Sequence, residues 1–216
     1  METIHMTFKQ KIYESLKRRI ITSGLHAGQQ LYEKELMQEY GIGRTPLREI
    51  FHELQRDGLI EILPKLGTKV VSMDLKVLRE TVQLRRELEG LAAELAARNI
   101  TSGQLAEFRH LLDEAGNIDD NAPEALIKMS DIDVKIHLII YETAGNEQLI
   151  NIIRVLLDKM TIYWFQVGFS ASEFQEQFEE LELLYHAMIK GDSSEAKNIM
   201  RRHIDHFAEL IKKHIF

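Results

Sequence analysis

A run of ten residues, Gly41-Ile42-Gly43-Arg44-Thr45-Pro46-Leu47-Arg48-Glu49-Ile50, constrains this chain more than any other segment. Thr45 has the side chain of an N-cap. Pro46 falls where the first helical position would lie, so its missing N–H costs nothing and its fixed φ suits the helix. Leu47, Ile50, Phe51 and Leu54 then recur at helical spacing, giving one apolar face that can dock on a core. Arg44 and Arg48 sit across the helix start, so both guanidiniums project from the N-terminal end. Such an end attracts phosphate through charge and unsatisfied backbone N–H groups, and its arginines can fork onto guanine edges. An ordinary surface helix with two solvated arginines would show the same pattern, so the flanking sequence has to decide.

Upstream, Leu31 to Tyr40 predicts a short helix with Leu36, Met37 and Tyr40 apolar, ended by Gly41 as a left-handed C-cap. A short turn and the Arg44 helix follow, which is helix-turn-helix spacing. Phe8, Ile12, Leu16 and Ile20 predict a third amphipathic helix, ended by Ser23-Gly24. Downstream, Asp57-Gly58 makes a turn. Leu59–Leu63 and Thr68–Val71 then read as two strands joined by Pro64-Lys65-Leu66-Gly67. Three helices and a hairpin make a winged helix-turn-helix. Lys65 and Gly67 at the hairpin tip give it a cation and a backbone that can approach DNA closely.

Residues from about 8 to 72 resemble the DNA-binding domain of the GntR superfamily of bacterial transcription regulators. The resemblance rests on Leu31…Glu35-Leu36, Arg44-Thr45-Pro46-Leu47-Arg48-Glu49, Leu54…Asp57-Gly58-Leu59-Ile60 and Gly67-Thr68-Lys69-Val70. Lys34, Arg44, Thr45, Arg48, Lys65 and Gly67 are the expected DNA-facing residues.

The net charge of −7 argues against such a role until it is divided along the chain. Residues 1–73 hold 11 Lys+Arg against 9 Asp+Glu, a net of +2, and residues 74–216 hold 16 against 25, a net of −9. Phosphate contact needs a local patch rather than a basic protein, so a near-neutral to basic module on an acidic body is compatible with it. With no cysteine, neither a disulfide framework nor a thiolate metal site can form. No apolar run approaches the roughly 20 residues of a membrane span, and a cytoplasmic location is expected.

From Met73-Asp74 onward the pattern is helix after helix, so the chain is expected to be mainly α, with a winged domain at 1–72 and an all-helical bundle at 73–216. Leu84, Leu88, Leu91, Ala92 and Leu95 form an apolar stripe in a segment of strong helix formers. Thr101-x-x-Gln104 is a capping box opening the next helix. Asn121-Ala122-Pro123-Glu124 opens a third, stopped by Gly145. A fourth begins at Asn146 and is apolar on nearly all sides as far as Met160. Val167 to Ala171 reads as a loop and Phe174 to Lys190 as a fifth helix. Asp192-Ser193-Ser194-Glu195 caps the last, which runs to about Lys213.

Within the third of these helices, Asp133 and His137 lie one turn apart on one face, about 40° from each other. They can present a carboxylate and an imidazole to one point, beside the apolar Ile136, Ile140 and Tyr141. His203 likewise sits among Ile199, Met200 and Phe207. A satisfied core pair, with Asp133 holding a histidine tautomer, is the simpler alternative.

Residues 74–216 resemble the FCD ligand-binding domain of the FadR-like branch of the same superfamily. The resemblance rests on Leu84-Arg85-Arg86-Glu87-Leu88-Glu89 with Ala92-Ala93…Ala96-Ala97-Arg98, on Asp133…His137…Gly145-Asn146, and on Ala187…Gly191-Asp192…Ala196…Met200…His203. It implies a divalent metal such as zinc held by Asp133, His137, His203 and a further histidine at position 181, where this sequence has Leu181. His186, the nearest substitute, would point about 140° away. Two readings follow: Asp133, His137 and His203 keep a weakly held metal, or the metal is lost and the site binds its effector directly. The leucine favours the second. Arg85 matches a pocket-facing position, where a guanidinium can clamp an effector carboxylate; a surface ion pair with Glu89 is the alternative.

The function expected from these residues is a homodimeric transcription regulator on a palindromic double-stranded operator, responding to a small, carboxylate-bearing effector through Arg85, Asp133, His137 and His203. An architectural DNA-binding dimer without effector is one alternative. A metal-dependent enzyme on the bundle is another, but nothing reads as a general base and the winged domain would be unexplained.

Overall fold

The structure, a computed structural model, describes residues 7–215 other than Ser23, Met73, Pro123 and Gly168. Ser23 and Pro123, expected at a helix end and a helix start, lie outside the described residues. The chain divides into two compact units, one built on residues up to Asp74 and one on Leu75–Met160 with the residues after 166; residues 161–166 group with the first.

In the first unit, α1 (Phe8–Ile21) starts at a Thr7–Gln10 capping box and buries Ile12, Leu16 and Ile20, while Phe8 in its first turn stays exposed. α2 (Glu33–Tyr40) ends on Gly41, whose φ of 63° is the left-handed conformation that a glycine adopts without strain. α3 (Arg44–Arg56) buries Leu47, Ile50, Phe51 and Leu54. These side chains meet those of α1, Leu36 of α2, Leu59 just before β2, and Ile60 and Val70 of the sheet in one core. Each apolar side chain of that size contributes roughly 1.5–3 kcal/mol on full burial.

Two sequence expectations are corrected in this unit. The short helix does not begin at Leu31: β1 (Gln30–Leu31) joins β2 (Ile60–Leu63) and β3 (Gly67–Val70) in a three-stranded antiparallel sheet of order β1-β3-β2. Gln30 faces Lys69 and Leu31 faces Thr68 across the ladder. A strand of two residues carries no alternation to be read. Thr45 does not cap α3 either. Gly43, extended at φ −78° and ψ 169°, is the N-cap and supplies no side-chain hydrogen bond. Pro46 therefore occupies the third helical position, where an N–H would also have no intrahelical acceptor.

The second unit is helical throughout its described residues: α4 (Leu75–Asn99), α5 (Ser102–Gly116), α6 (Ala125–Ala144), α7 (Glu147–Val167), α8 (Ala171–Ile189) and α9 (Ser193–Ile215). The Thr101–Gln104 capping box forms, and Gly145 ends α6 in the left-handed conformation. The fifth helix of this unit starts earlier than its apolar pattern implied, because Ser170 and Glu173 make a capping box. Helix α4 lies along α9 and packs against α6, and α8 packs against α9, α5, α6 and α4. At the α4–α9 contact a Cβ on Gly90 would come within 3.0 Å of Arg201 Cγ, so the glycine sets how closely the helices approach.

The expected stripe of α4 is core only in part: Ala92 is buried and Leu88 and Leu95 are half-buried, but Leu84 and Leu91 are exposed. Thr81, Arg85, Glu89, Ala93, Ala96 and Ala97 are buried instead. Small side chains turn inward because they let the neighbouring helix approach, and the polar pair Arg85–Glu89 goes in with them. On α7, Leu149, Ile153, Leu156, Leu157 and Met160 are buried, but Ile152 is exposed, so the early part of that helix buries a face rather than its circumference.

Candidate functional site

On the first unit, Lys34, Arg44, Thr45, Arg48, Lys65 and Gly67 are all exposed. The first four come from α2 and the start of α3, and the last two from the wing tip. Glu33, absent from the sequence reading, organises the arginines: its Oε1 accepts from Arg48 Nε at 2.8 Å and its Oε2 lies 3.2 Å from Arg44 Nε. Both guanidiniums are thus held on one carboxylate beside Lys34. Glu33, Arg48, Phe51, His52, Ile62 and Thr68 line one cleft, so Arg48 stands next to the wing strands. At the wing tip Lys65 takes a φ of 65°, unusual for a side-chain-bearing residue, and Gly67 a φ of 101°. Lys65 is exposed at this tight turn.

The N-terminus of α3 has no acidic residue in its first turn and no side-chain cap. Its first backbone N–H groups and the positive end of its dipole are available to an anion, with Arg44 beside them. Phosphate chemistry fits this end of the helix, and base edges fit the guanidiniums.

On the second unit, the predicted Asp133, His137 and His203 come together. All three are buried, with their donor atoms within 4.8 Å of one another. His137 Nε2 is 3.2 Å from His203 Nε2 and 3.7 Å from Asp133 Oδ1, and His203 Nε2 is 3.9 Å from that same oxygen. Helix α6 supplies Asp133 and His137 one turn apart, and α9 supplies His203 opposite.

The surroundings were only partly legible. Arg85 does pair with Glu89, but at 1% and 0% exposure respectively the pair is buried rather than a surface one. Glu89 also reaches the site: its Oε2 is 2.7 Å from His137 Nδ1, and Tyr141 Oη lies 3.1 Å from that nitrogen. Nδ1 thus hydrogen-bonds Tyr141 and faces the Glu89 carboxylate at ion-pair distance, which leaves Nε2 on the side of Asp133 and His203. A carboxylate behind the ring is the support that metal-binding histidines ordinarily have. On the far side of His203, Glu180 Oε2 lies 3.6 Å from Nδ1. The signal for Glu89 was its spacing from Arg85; nothing in the sequence singled out Glu180.

Electrostatics follow from this packing. Burial would push the Glu89 carboxyl up, but Arg85 and then His137 more than reverse it and hold Glu89 well below the usual range. Burial pulls His137 down, whereas Asp133 and Glu89 together push it above its ordinary value. Burial also raises the Tyr141 hydroxyl well above its ordinary value, so it stays a neutral hydrogen-bonding group.

Leu181 is fully buried on α8, next in sequence to Glu180. His186 is exposed and pairs with Glu182, so it brings no donor to the site. Asp133 Oδ2 and Arg85 Nη1 are buried without a hydrogen-bond partner. Glu89 Oε2, Glu180 Oε2 and His203 Nδ1 are likewise buried without a hydrogen bond, so the three convergent donors lie among further unsatisfied polar groups, and such a set can hold a cation.

Comparison with known proteins agrees with both halves of the chain. Residues 8–70 match the bacterial regulatory proteins of the gntR family, and residues 80–206 match the FCD domain. The chain is 24% identical to the HTH-type transcriptional repressor RspR of Escherichia coli, over 94% of this chain and 89% of that protein. It is 23% identical to the uncharacterized HTH-type transcriptional regulator YdhC of Bacillus subtilis, over 94% and 90% respectively. Among solved structures, E. coli McbR/YncC superposes with a TM-score of 0.85 at 22% identity, covering 98% of this chain and all of that one. A regulator from Rhodococcus sp. RHA1 gives 0.81 at 16% identity, covering 95% and 97%. These relatives are transcription regulators rather than enzymes, and no helix among the described residues is long and apolar enough to cross a membrane. The chain belongs to the gntR family of bacterial regulatory proteins, as a transcription regulator that joins a winged helix-turn-helix DNA-binding domain to an FCD effector-binding domain.

Proposed function

We propose that this regulator binds a palindromic operator as a homodimer and responds to a small carboxylate captured in the FCD domain between Arg85 and a divalent metal ion on Asp133, His137 and His203. The observation that carries this reading is the convergence of those three donors, with Arg85 linked to them through Glu89 and with Asp133 Oδ2 and Arg85 Nη1 both buried without a hydrogen-bond partner. Ligands placed about 2.0–2.2 Å from one ion stand roughly 3–3.5 Å apart. The observed separations of 3.2 to 3.9 Å need only small side-chain adjustments to reach that range. Glu89 behind His137 supports the same reading, which reverses the weight that Leu181 carries on sequence grounds.

When bound, the metal supplies a Lewis acid to which a carboxylate oxygen can bond. Everything else is done by the protein. Asp133 brings negative charge, His137 and His203 bring neutral nitrogen donors, and Glu89 orients His137. Arg85 supplies a hydrogen-bond donor of fixed charge for the carboxylate. Leu181 adds no donor, so the metal keeps more positions for effector or solvent at lower affinity.

On the DNA side, Arg44 and Arg48 meet base edges and phosphate, Thr45 and Lys34 meet phosphate, and Lys65 with Gly67 brings the wing to the backbone. A single winged domain covers one half-site, which supports the dimer. The leucines Leu84 and Leu91 left exposed on α4 provide apolar surface for a second copy. Metal analysis of purified protein, with thermal unfolding before and after chelation, tests the effector site. Bound divalent metal and a melting temperature lowered by chelation are expected. Metal-free protein indifferent to both added zinc and chelator would overturn the metal half of the proposal.

A further inference from the structure

Gln177 is 2% exposed, on the same face of α8 as Leu181 and one turn before it. Both polar atoms of its side-chain amide, Oε1 and Nε2, lack a hydrogen-bond partner. A buried amide with both groups unused is destabilising, so a chain has no packing reason to place one between Phe174, Phe178 and Leu181. The neighbouring turn of α8 passes the metal-ligand triad, because Glu180 stands 3.6 Å from His203 Nδ1. Gln177 therefore lies one helical turn from the level of that triad, inside the same bundle.

We propose that Gln177 determines which carboxylate this regulator senses, by hydrogen-bonding a hydroxyl or amide group carried on the effector. This deepens the effector reading above and rests on it. Arg85 and the triad recognise the carboxylate common to all candidates. An amide offers one donor and one acceptor, so its match is a group that both accepts and donates: the hydroxyl of a hydroxy acid or the amide of an amido acid. A plain alkyl carboxylate would leave Gln177 unpaired, and a site built to hydrogen-bond discriminates strongly against a ligand that lacks the group. The ligand class is thus carboxylates that carry a hydroxyl or amide rather than plain alkyl acids.

The test uses full-length protein saturated with zinc and measures thermal stabilisation by lactate, glycolate and malonamate against propionate and butyrate. Wild type is expected to respond to the polar acids at about tenfold lower concentration, or less, than to the alkyl acids. Gln177→Met should lose that selectivity while keeping its response to propionate. Without ligand, Gln177→Met should melt at or above the wild-type temperature, because it removes an unsatisfied buried amide. A ligand-free variant that melts well below wild type, or fails to fold, would show that Gln177 has internal partners and would overturn the proposal. Equal responses to polar and alkyl acids, unchanged in the variant, would overturn it while leaving the effector reading intact. Indifference of wild type to every carboxylate would overturn the effector reading, and this inference with it.

Discussion

Replacing Glu89 by glutamine should be among the most damaging conservative substitutions in the FCD domain. Arg85 is 1% exposed and Nη1 has no partner even in the wild type, so the Glu89 carboxylate is the counter-charge directly bonded to it. Removing one member of a buried pair costs about 3–5 kcal/mol, chiefly because the other charge stays buried and uncompensated. At roughly 2–4 °C per kcal/mol for a chain of this size, Glu89→Gln should lower the FCD-domain melting transition by on the order of 10 °C. The comparison is best made by circular dichroism on full-length protein in the presence of chelator, so that altered metal affinity does not enter. The double variant Arg85→Met/Glu89→Leu is the control. It removes both charges, so it should be less destabilised than the single variant although it changes more atoms. Acid adds a second check. Because Glu89 is held below its ordinary value of 4.5, its contribution is fully present above that pH and is lost only as pH falls through the depressed folded value. The gap between wild type and Glu89→Gln should therefore close in strong acid as Glu89 protonates, and should also narrow as pH rises through the raised value of His137, whose charged form Glu89 supports. A single variant within 1 kcal/mol (about 3 °C) of wild type, or a double variant destabilised more than the single, would refute the buried-pair reasoning.

Four further outcomes are expected. Leu181→His should raise zinc affinity, measured by competition with a chromophoric chelator; no gain would show that position 181 does not face Asp133, His137 and His203. Glu33→Ala frees Arg44 and Arg48 from their shared carboxylate and should raise non-specific DNA affinity while lowering sequence discrimination, read by anisotropy on specific and scrambled duplexes. Lys34→Ala and Lys65→Ala should weaken binding to all sequences and each reduce the salt slope by about 1, without changing the preferred site. The protein should sediment as a dimer at micromolar concentration, and a monomer there would argue against a twofold operator.

The winged unit was legible because its signals are local. Gly41, the Arg44–Arg48 spacing and the apolar period of α3 are each set within a few residues. The misplaced cap shows the limit of such signals. Thr45 has good capping chemistry, but Gly43 takes the extended backbone and Pro46 is tolerated equally well two positions later. β1 was invisible because its pairing with β3 spans nearly forty residues and only two of its own. In the bundle, hydrophobicity misdirected the reading of α4. Four of the five stripe residues were leucines, yet Leu84 and Leu91 are exposed while Gly90, which faces Arg201 of α9, Ala93 and Ala97 are buried together with Arg85 and Glu89. The donors Asp133 and His137 were readable from one turn of α6, whereas placing His203 opposite them required the family pattern. Glu89, Glu180 and Gln177 gain their meaning only from three-dimensional neighbours.

The most direct test of how this regulator reads DNA is selection of bound sequences from a random duplex library, carried out in parallel with wild type and Arg48→Ala. Arg48 is exposed at the start of α3, oriented by Glu33 and adjacent to the wing. Wild type should enrich an inverted repeat. The variant should enrich the same repeat with one position in each half-site relaxed, by about 1–3 kcal/mol of lost discrimination. A motif without twofold symmetry, or a repeat that Arg48→Ala selects with undiminished preference at every position, would contradict recognition by a dimer through α3.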